Sequence, residues 1–394
     1  MIKSYKVKLK LNNKQRTILA NNANVARFIY NLTLEMQQTN YKNGGKFLSD
    51  CDIRKQITKL KQNPEALAWL YHYDCDIVKQ AVKDACNAYK RFFRLKKGFP
   101  KFKSKKHTKP SFYVDCIKLK INNGYIKIPK CSKIKLYEKN YIPENLKLYS
   151  NPRITSDGID WYLSVGVEQD ILKTQLTNEI IGIDLGLETL ATCSNGMVFE
   201  NISKNKNYNK LIKAIKRQQK IISRRYQMNK VGNRFVKTSN IRKLEKQVLK
   251  KRIRLNNIKK DYFHKSSTEI VRTKLSKIVL EDLNIESMRK NKHLSHTFQE
   301  TSISMFKDIL VNKANMNGIE IIYADRFYPS SQICSNCGHR KVELKLSDRV
   351  YKCDNCGLEI NRDYNASINL KHYLESTGDV KPLEIQASKV VSMN

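Results

Sequence analysis

Alternating apolar and basic positions open the chain: Tyr5, Val7, Leu9 and Leu11 follow Ile2 with lysines between them, which predicts one basic strand over residues 2–11. Asn12 or Asn13 can cap the helix that follows, whose Ile18, Val25, Ile29, Leu32 and Met36 fall on one face with Asn22 the one polar intruder. Asn43-Gly44-Gly45 breaks that pattern. A second long helix from about Asp76 puts Ile77, Ala81, Ala85, Ala88 and Phe92 on its inner face, so residues 13–95 are mostly helical. From 111 to 168 the texture changes to strands. Residues 117–121 and 125–128 flank Asn123-Gly124, a strong hairpin signal, and Asp157-Gly158 separates 153–155 from 161–165. Short antiparallel strands with basic outward positions predict a small barrel or sandwich. On grounds of economy the strand at 2–11 would complete it, making the helical block an insertion.

After about residue 176 a different pattern begins. Ile180-Ile181-Gly182-Ile183-Asp184, then 189–193, the turn Asn195-Gly196 and 197–199 read as an antiparallel meander. Two basic helices follow, one carrying Leu211, Ile215 and Ile222, the other Ile241, Leu244, Val248, Leu255, Ile258 and Tyr262, joined near Gly232. Ile278-Val279-Leu280-Glu281 reads as a buried parallel strand, with a helix around Ser302 to Met316 and another strand at 319–323. Strand, meander, helix, strand, helix, strand is the ribonuclease H arrangement, and the chain as a whole is predicted to be α+β and multidomain.

Charge narrows the partners. Lys and Arg number 75 against 36 Asp and Glu, a formal +39, and such a field repels itself unless a polyanion neutralises it. Nucleic acid is the first candidate and an anionic membrane surface the rival. No run of 18 apolar residues exists and no apolar signal region opens the chain, which counts against the membrane. A genome biased toward Lys, Asn and Ile codons accounts for part of the lysine but not for the excess over acids. Residues 201–260 hold 21 Lys or Arg and a single acid, Glu245, more than a solvated face requires. The run from Lys96 to Lys106 mixes lysines with Phe99 and Phe102, so it is either a solvated loop or a place where cations meet phosphates while rings stack on bases. Arg27, Lys101, Lys103, Lys105, Lys106, Arg224 and Arg225 are the candidate nucleic-acid contacts.

Two constellations carry chemistry. Asp184 and Glu281 end apolar β-type runs and Asp363 opens a stretch of helix formers. Strand-end carboxylates converging on one point suit hard cations such as Mg²⁺, probing for two ions that clamp a phosphodiester in line. The plain alternative is three turn or cap residues, and Gly-x-Asp-x-Gly alone also occurs in sugar kinases and chaperone ATPases. Three carboxylates meeting without cations would raise one another's pKa, so the convergence makes sense with metal bound. The second constellation is Cys334-x2-Cys337, fifteen residues, then Cys353-x2-Cys356, each pair followed by glycine, which is zinc-ribbon spacing for one structural Zn²⁺. The other six cysteines are scattered singly, a pattern of reduced thiols in a cytosol. Around the ribbon Ser330, Ser331, Arg340, Lys341 and Arg349 are candidate DNA contacts. Asp282 reads as a structural neighbour, His264 as a packing or hydrogen-bonding residue, and Trp69 and Trp161 as core.

Gly182-Ile183-Asp184-Leu185-Gly186 and Leu280-Glu281-Asp282-Leu283-Asn284 resemble the first two motifs of a RuvC domain, and Arg362-Asp363-Tyr364-Asn365-Ala366-Ser367-Ile368-Asn369 the third. Together with the stretch from Phe327 into the ribbon, and with Gln15, 27–31 and 100–104 upstream, they resemble TnpB, the insertion-sequence-associated family long labelled an accessory transposase. The resemblance covers about residues 1–375. It implies an RNA-guided DNA endonuclease that binds a guide RNA from the transposon end, reads a short motif beside a double-stranded target, and cuts with a single RuvC site. It implies a β-barrel wedge domain (1–12 plus 111–175), a helical recognition insertion (13–110), a RuvC-like nuclease (176–330 plus 359–375, basic helices about 204–275), a zinc ribbon (331–358) and a weakly patterned tail (376–394). Asp184, Glu281 and Asp363 carry over as Mg²⁺ ligands and the four cysteines as Zn²⁺ ligands. The expected setting is a bacterial-type cytoplasm, at the nucleoid. Rival readings are a compact type V CRISPR effector, a guided DNA-binding repressor without cleavage, and a transposase or its accessory protein.

Overall fold

The computed structural model describes residues 2–144, 146, 148–169, 175–283, 301–344 and 348–377. Asn284 of the second motif and the tail residues Gly378, Asp379 and Pro382 lie outside them. The chain divides into two compact units, Met1–Asp170 and Ile171–Asn394.

In the first unit the alternation at the start becomes strand β1 (Ile2–Lys10), followed by helix α1 (Asn13–Lys42). A capping box closes the start of α1: Asn12 Oδ1 accepts from Gln15 N at 2.8 Å while Gln15 Oε1 accepts from Asn12 N at 3.0 Å. Helices α2 (Asp50–Gln62) and α3 (Cys75–Leu95) follow, then strands β2 (Ser111–Tyr113), β3 (Lys120–Asn122), β4 (Tyr125–Lys127), β5 (Ile134–Leu136), β6 (Ser150–Ser156) and β7 (Trp161–Glu168). All seven strands form one sheet in the order β2-β6-β7-β1-β5-β4-β3. Strand β1 is its centre: Ile2–Lys8 pair with β7, and Leu9 and Lys10 pair with β5. Among the described residues the order is open, with β2 and β3 at its edges, so their hydrogen bonding does not close the sheet into a barrel. Sheet and helices share one core, in which Val7, Ile154 and Leu163 meet Leu19, Ile29, Ile53 and Val82.

Two details depart from the periodicity. The strand expected over 117–121 begins only at Lys120, because Asp115 Oδ1 accepts from the backbone N–H of Ile117 (2.9 Å) and Lys118 (3.3 Å) and folds that stretch into a turn, leaving Ile117 exposed. Trp161 is core, as expected, but Trp69 is 39% exposed and packs edge-on with Tyr73 and at a tilt with Phe28 in a surface aromatic cluster.

The second unit mixes helices with a five-stranded sheet of order β10-β9-β8-β13-β14. Strands β8 (Ile180–Asp184), β9 (Thr189–Cys193) and β10 (Val198–Glu200) form the antiparallel meander; β13 (Lys277–Glu281) lies parallel to β8 and to β14 (Glu320–Ala324). Between meander and β13 come helices α4 (Lys206–Met228) and α5 (Ser239–Arg272), joined by the short hairpin of β11 (Lys230–Val231) and β12 (Arg234–Phe235) around Gly232. Helix α6 (Ile303–Met316) precedes β14, and α7 (Arg362–Thr377) ends the described chain.

The sheet is covered on both faces. Ile181, Ile183, Ile278 and Leu280 face Phe263, Ile270, Phe306 and Leu310 of α5 and α6, whereas Val279, Ile322 and Ala324 face Leu370 and Tyr373 of α7. That is why β13 reads as an unbroken apolar run. Side chains alternate along a strand, so Gly182 and Asp184, out of phase with Ile181 and Ile183, point to the α7 face, and Glu281 does the same.

Candidate metal centres and nucleic-acid interface

The first centre lies where β8 and β13 end. Ile183 is in register with Leu280, so the next residues, Asp184 and Glu281, stand side by side on neighbouring parallel strands. Asp363 comes from the first turn of α7, where Asn361 Oδ1 caps the helix by accepting from Asp363 N and Tyr364 N, both at 3.0 Å. Helix α7 crosses β8 at Gly182 so closely that a Cβ there would lie 2.1 Å from Ser367 O and 2.4 Å from Lys371 N. Asp363, one turn before Ser367, is thereby brought to the Asp184 end of the strand. All three acids are half-buried. Burial, then Glu281, then Asp363 push the Asp184 carboxyl well above its ordinary value, with Arg362 and the Leu185 N–H opposing them. The three carboxylates are not gathered within 4.8 Å of one another as the cysteine sulfurs are, but the repulsion in this donor set is of the kind a hard divalent cation relieves.

The second centre is tighter. The Sγ atoms of Cys334, Cys337, Cys353 and Cys356 all lie within 4.8 Å of one another, with Cys334–Cys356 and Cys337–Cys353 each at 3.5 Å. A tetrahedral zinc thiolate with Zn–S near 2.3 Å sets its sulfurs about 3.8 Å apart, so the cluster fits that ion. The two knuckles are built alike. Gly338 N donates to Cys334 O and Gly357 N to Cys353 O, Cys334 N to His339 O and Cys353 N to Leu358 O, with both glycines at φ +73°. Backbone N–H donation at Leu358 and the Asn336 amide pull the Cys356 thiol down to about 6, and burial pushes Cys334 up to about 12. The cysteine pairs are flanked by strands β15 (Val350–Lys352) and β16 (Glu359–Asn361), and Tyr351 is the fully buried ring beneath them.

Of the expected DNA contacts here, Ser330 is corrected: it is 3% exposed and its hydroxyl donates to Glu281 Oε1. Arg340 holds Gln332 Oε1, Lys341 pairs with Asp354 at 2.7 Å, and Arg349 pairs with Glu188. Asp282, read as structural, pairs with Arg326 at 2.6 Å.

Sequence reasoning missed Asn365 and Asn369, which are buried on α7. Their signal was two amides four residues apart in an otherwise apolar helix stretch. Asn365 Nδ2 donates to Ile333 O at 2.7 Å and its Oδ1 accepts from Ser335 N at 3.0 Å; Asn369 Nδ2 donates to Ser330 O and Ile333 O, both at 2.7 Å.

The candidate nucleic-acid contacts fall in both units. Arg27, Lys103 and Lys105 line one cavity of about 220 Å³ in the first unit together with Tyr30, Asp84 and Arg153. Arg153 is neutralised there by a two-pronged bond to Asp84, at 2.8 and 2.9 Å. Lys103 is half-buried, with its ammonium 3.5 Å from the Tyr30 ring centroid and its backbone bracketed by the Asn31 amide, at 2.8 and 2.9 Å; burial lowers its pKa. Lys101 and Lys106 are exposed on the same segment and outside that cavity, and Arg224 and Arg225 are exposed on α4 of the second unit.

Comparison with known proteins agrees with this picture along most of the chain. Family models described as "Helix-turn-helix domain", "Probable transposase" and "Cas12f1-like, TNB domain" match residues 1–46, 163–292 and 304–370; in the first of these ranges the structure has one strand and one long helix. The chain is 25% identical over 94% of its length to "Putative RNA-guided DNA endonuclease InsQ" of Escherichia coli (strain K12), covering 91% of that protein. It is 25% identical over 93% to "Putative RNA-guided DNA endonuclease" of Streptomyces pristinaespiralis, covering 88% of it. It shares its fold with the chain in "Cryo-EM structure of the Cas12f1-sgRNA-target DNA complex", with a TM-score of 0.55, 13% identity, and coverage of 94% of this chain and 98% of that one. These likenesses agree with the TnpB resemblance of its motifs.

Proposed function

We propose that the chain is an RNA-guided, Mg²⁺-dependent DNA endonuclease of a transposon. The observation that carries this reading is the meeting of Asp184 and Glu281, on adjacent parallel strands, with Asp363 from the helix crossing that face. The strand order of the second unit is that expected of a ribonuclease H or RuvC sheet, and the names of the full-length relatives point the same way. In this reading Asp184, Glu281 and Asp363 would hold a two-metal set, and bound Mg²⁺ would supply Lewis-acid activation of the phosphodiester and of water. The chain's own part is to fix three oxygen donors on rigid strands and one helix start. The cysteine cluster holds one structural Zn²⁺. The sheet of the first unit acts as the wedge, residues 13–110 as the recognition insertion, 176–330 with 359–375 as the nuclease and 331–358 as the ribbon. No helix among the described residues is long and apolar enough to cross a membrane, and we place the protein's work at the nucleoid.

The test is the RNA. Purified with its flanking transcript co-expressed, the chain is expected to retain one discrete RNA species from the transposon end. Recovery of bulk cellular RNA, or none, would remove the guided reading. The cysteine cluster has its own check: metal analysis should find about one zinc per chain, lost in Cys353→Ser. The basic loop has another. Replacing exposed Lys101, Lys105 and Lys106 by alanine is expected to weaken nucleic-acid binding and to reduce the slope of log affinity against log salt by up to about 3. An unchanged slope would take that loop out of the interface.

A further inference from the structure

Ser330 is buried, makes a hydrogen bond to one of the three acids, and lies four residues before the first cysteine of the cluster. Its carbonyl accepts from Asn369, whose amide also reaches Ile333 O, and Asn365 binds Ile333 O and Ser335 N. Both asparagines sit on α7, the helix that carries Asp363 in its first turn. Tyr328 adds to the tie, donating to Asn369 O at 3.2 Å and packing its ring 4.9 Å from that of Tyr373. One short segment therefore touches Glu281 through a side chain, holds the Asp363 helix through two buried amides, and runs straight into Cys334.

We propose that residues 330–335 are a strut that couples the cysteine cluster to the acid centre, with Ser330 the positioning residue that orients Glu281. The inference rests on the metal-binding reading of the acids given above. Buried hydroxyls and amides that hold a metal-ligating carboxylate set its orientation and basicity. Here a single hydroxyl does so for Glu281, while Asn365 and Asn369 fix how far α7, and Asp363 with it, stands from the same segment. A cluster that keeps Cys334 in place keeps both acids in place. Losing its metal frees residues 330–335 at one end, so zinc loss is expected to disturb an acid centre to which no cysteine contributes.

The test is Mn²⁺ titration of the full-length chain by calorimetry, with Asp184→Ala as the blank for binding elsewhere and zinc content measured alongside. Ser330→Ala is expected to keep its zinc and to bind Mn²⁺ about tenfold more weakly. Ser330→Thr, which retains the hydroxyl, should recover most of that loss. Asn369→Ala, which cuts the tie from the α7 side, should weaken Mn²⁺ in the same way, and so should removal of zinc from the unaltered chain. Wild-type Mn²⁺ affinity in both Ser330→Ala and Asn369→Ala overturns the strut. A different outcome marks failure of the reading beneath it: Asp184→Ala binding Mn²⁺ as the unaltered chain does would mean that the acids hold no metal.

Discussion

Gly182→Ala is expected to destabilise the second unit by about 3 kcal/mol, the upper part of the range for overpacking a closed interface. The added Cβ would stand 2.1 Å from Ser367 O and 2.4 Å from Lys371 N, which are backbone atoms of α7, and 2.7 Å from Leu370 Cβ. No rotamer change relieves a clash with a helix backbone, so α7 must move away from β8. Two consequences should appear together. The urea midpoint falls, and because Asp363 and the asparagine ties ride on the same helix, whatever protein remains folded cleaves poorly. A Gly182→Ala chain with the unaltered midpoint would mean that α7 does not cross β8 at this distance.

Asp184→Asn should separate stability from activity in opposite directions. The folded chain raises the Asp184 pKa well above its ordinary 3.8, through burial first and then Glu281 and Asp363. A raised folded-state pKa contributes stability that is fully present below the unfolded value and is lost as pH rises through the folded one. At neutral pH without divalent cations the ionised carboxylate is therefore a liability, and the isosteric amide removes it. Asp184→Asn in chelator is expected to melt above the unaltered chain near pH 8, with the difference vanishing toward pH 3. Mg²⁺ should raise the melting temperature of the unaltered chain and leave the variant's nearly unchanged. Cleavage should fall about a thousandfold, as when a central charge-stabilising group is removed. In the unaltered enzyme activity should decline as pH falls, because protonated Asp184 no longer offers a charged ligand. A variant that melts lower than the unaltered chain in chelator would contradict the electrostatic account.

Much of this architecture is legible where one local rule decides. The apolar run of β13 needs only burial on both faces, the Asn12–Gln15 box needs four residues, and the paired cysteines need a spacing and two glycines. The meander around Asn195-Gly196 and the helix pair around Gly232 are likewise marked by their turns. Most of what escapes is long-range. Alternation predicts a strand at residues 2–11 but not that its two ends serve two different neighbours. An aspartate two residues ahead outweighs the β-pattern at Ile117, because a side-chain acceptor close in sequence costs little entropy to engage. Trp69 carries the same apolar weight as Trp161, yet it joins Phe28 and Tyr73 at the surface and stays 39% exposed. Ser330 read as a polar residue near a ribbon and hence as a nucleic-acid contact; it is buried, and its hydroxyl partner is Glu281, 49 positions away. The three acids could be paired with one chemistry from their settings, but the approach of Asp363, which adds to burial and Glu281 in raising the Asp184 pKa, comes through Gly182, whose missing side chain admits α7.

The central claim is that these acids form one metal-dependent cutting site directed by RNA. It is tested most directly by loading the purified chain with its own transcript and offering a plasmid library that carries the matched target beside randomised flanks. Cutting of matched plasmids only, dependent on Mg²⁺, confined to one short flanking motif and abolished in Asp184→Ala, is the predicted result. Stable RNA and target binding without any cutting, or cutting that persists in Asp184→Ala, would contradict it.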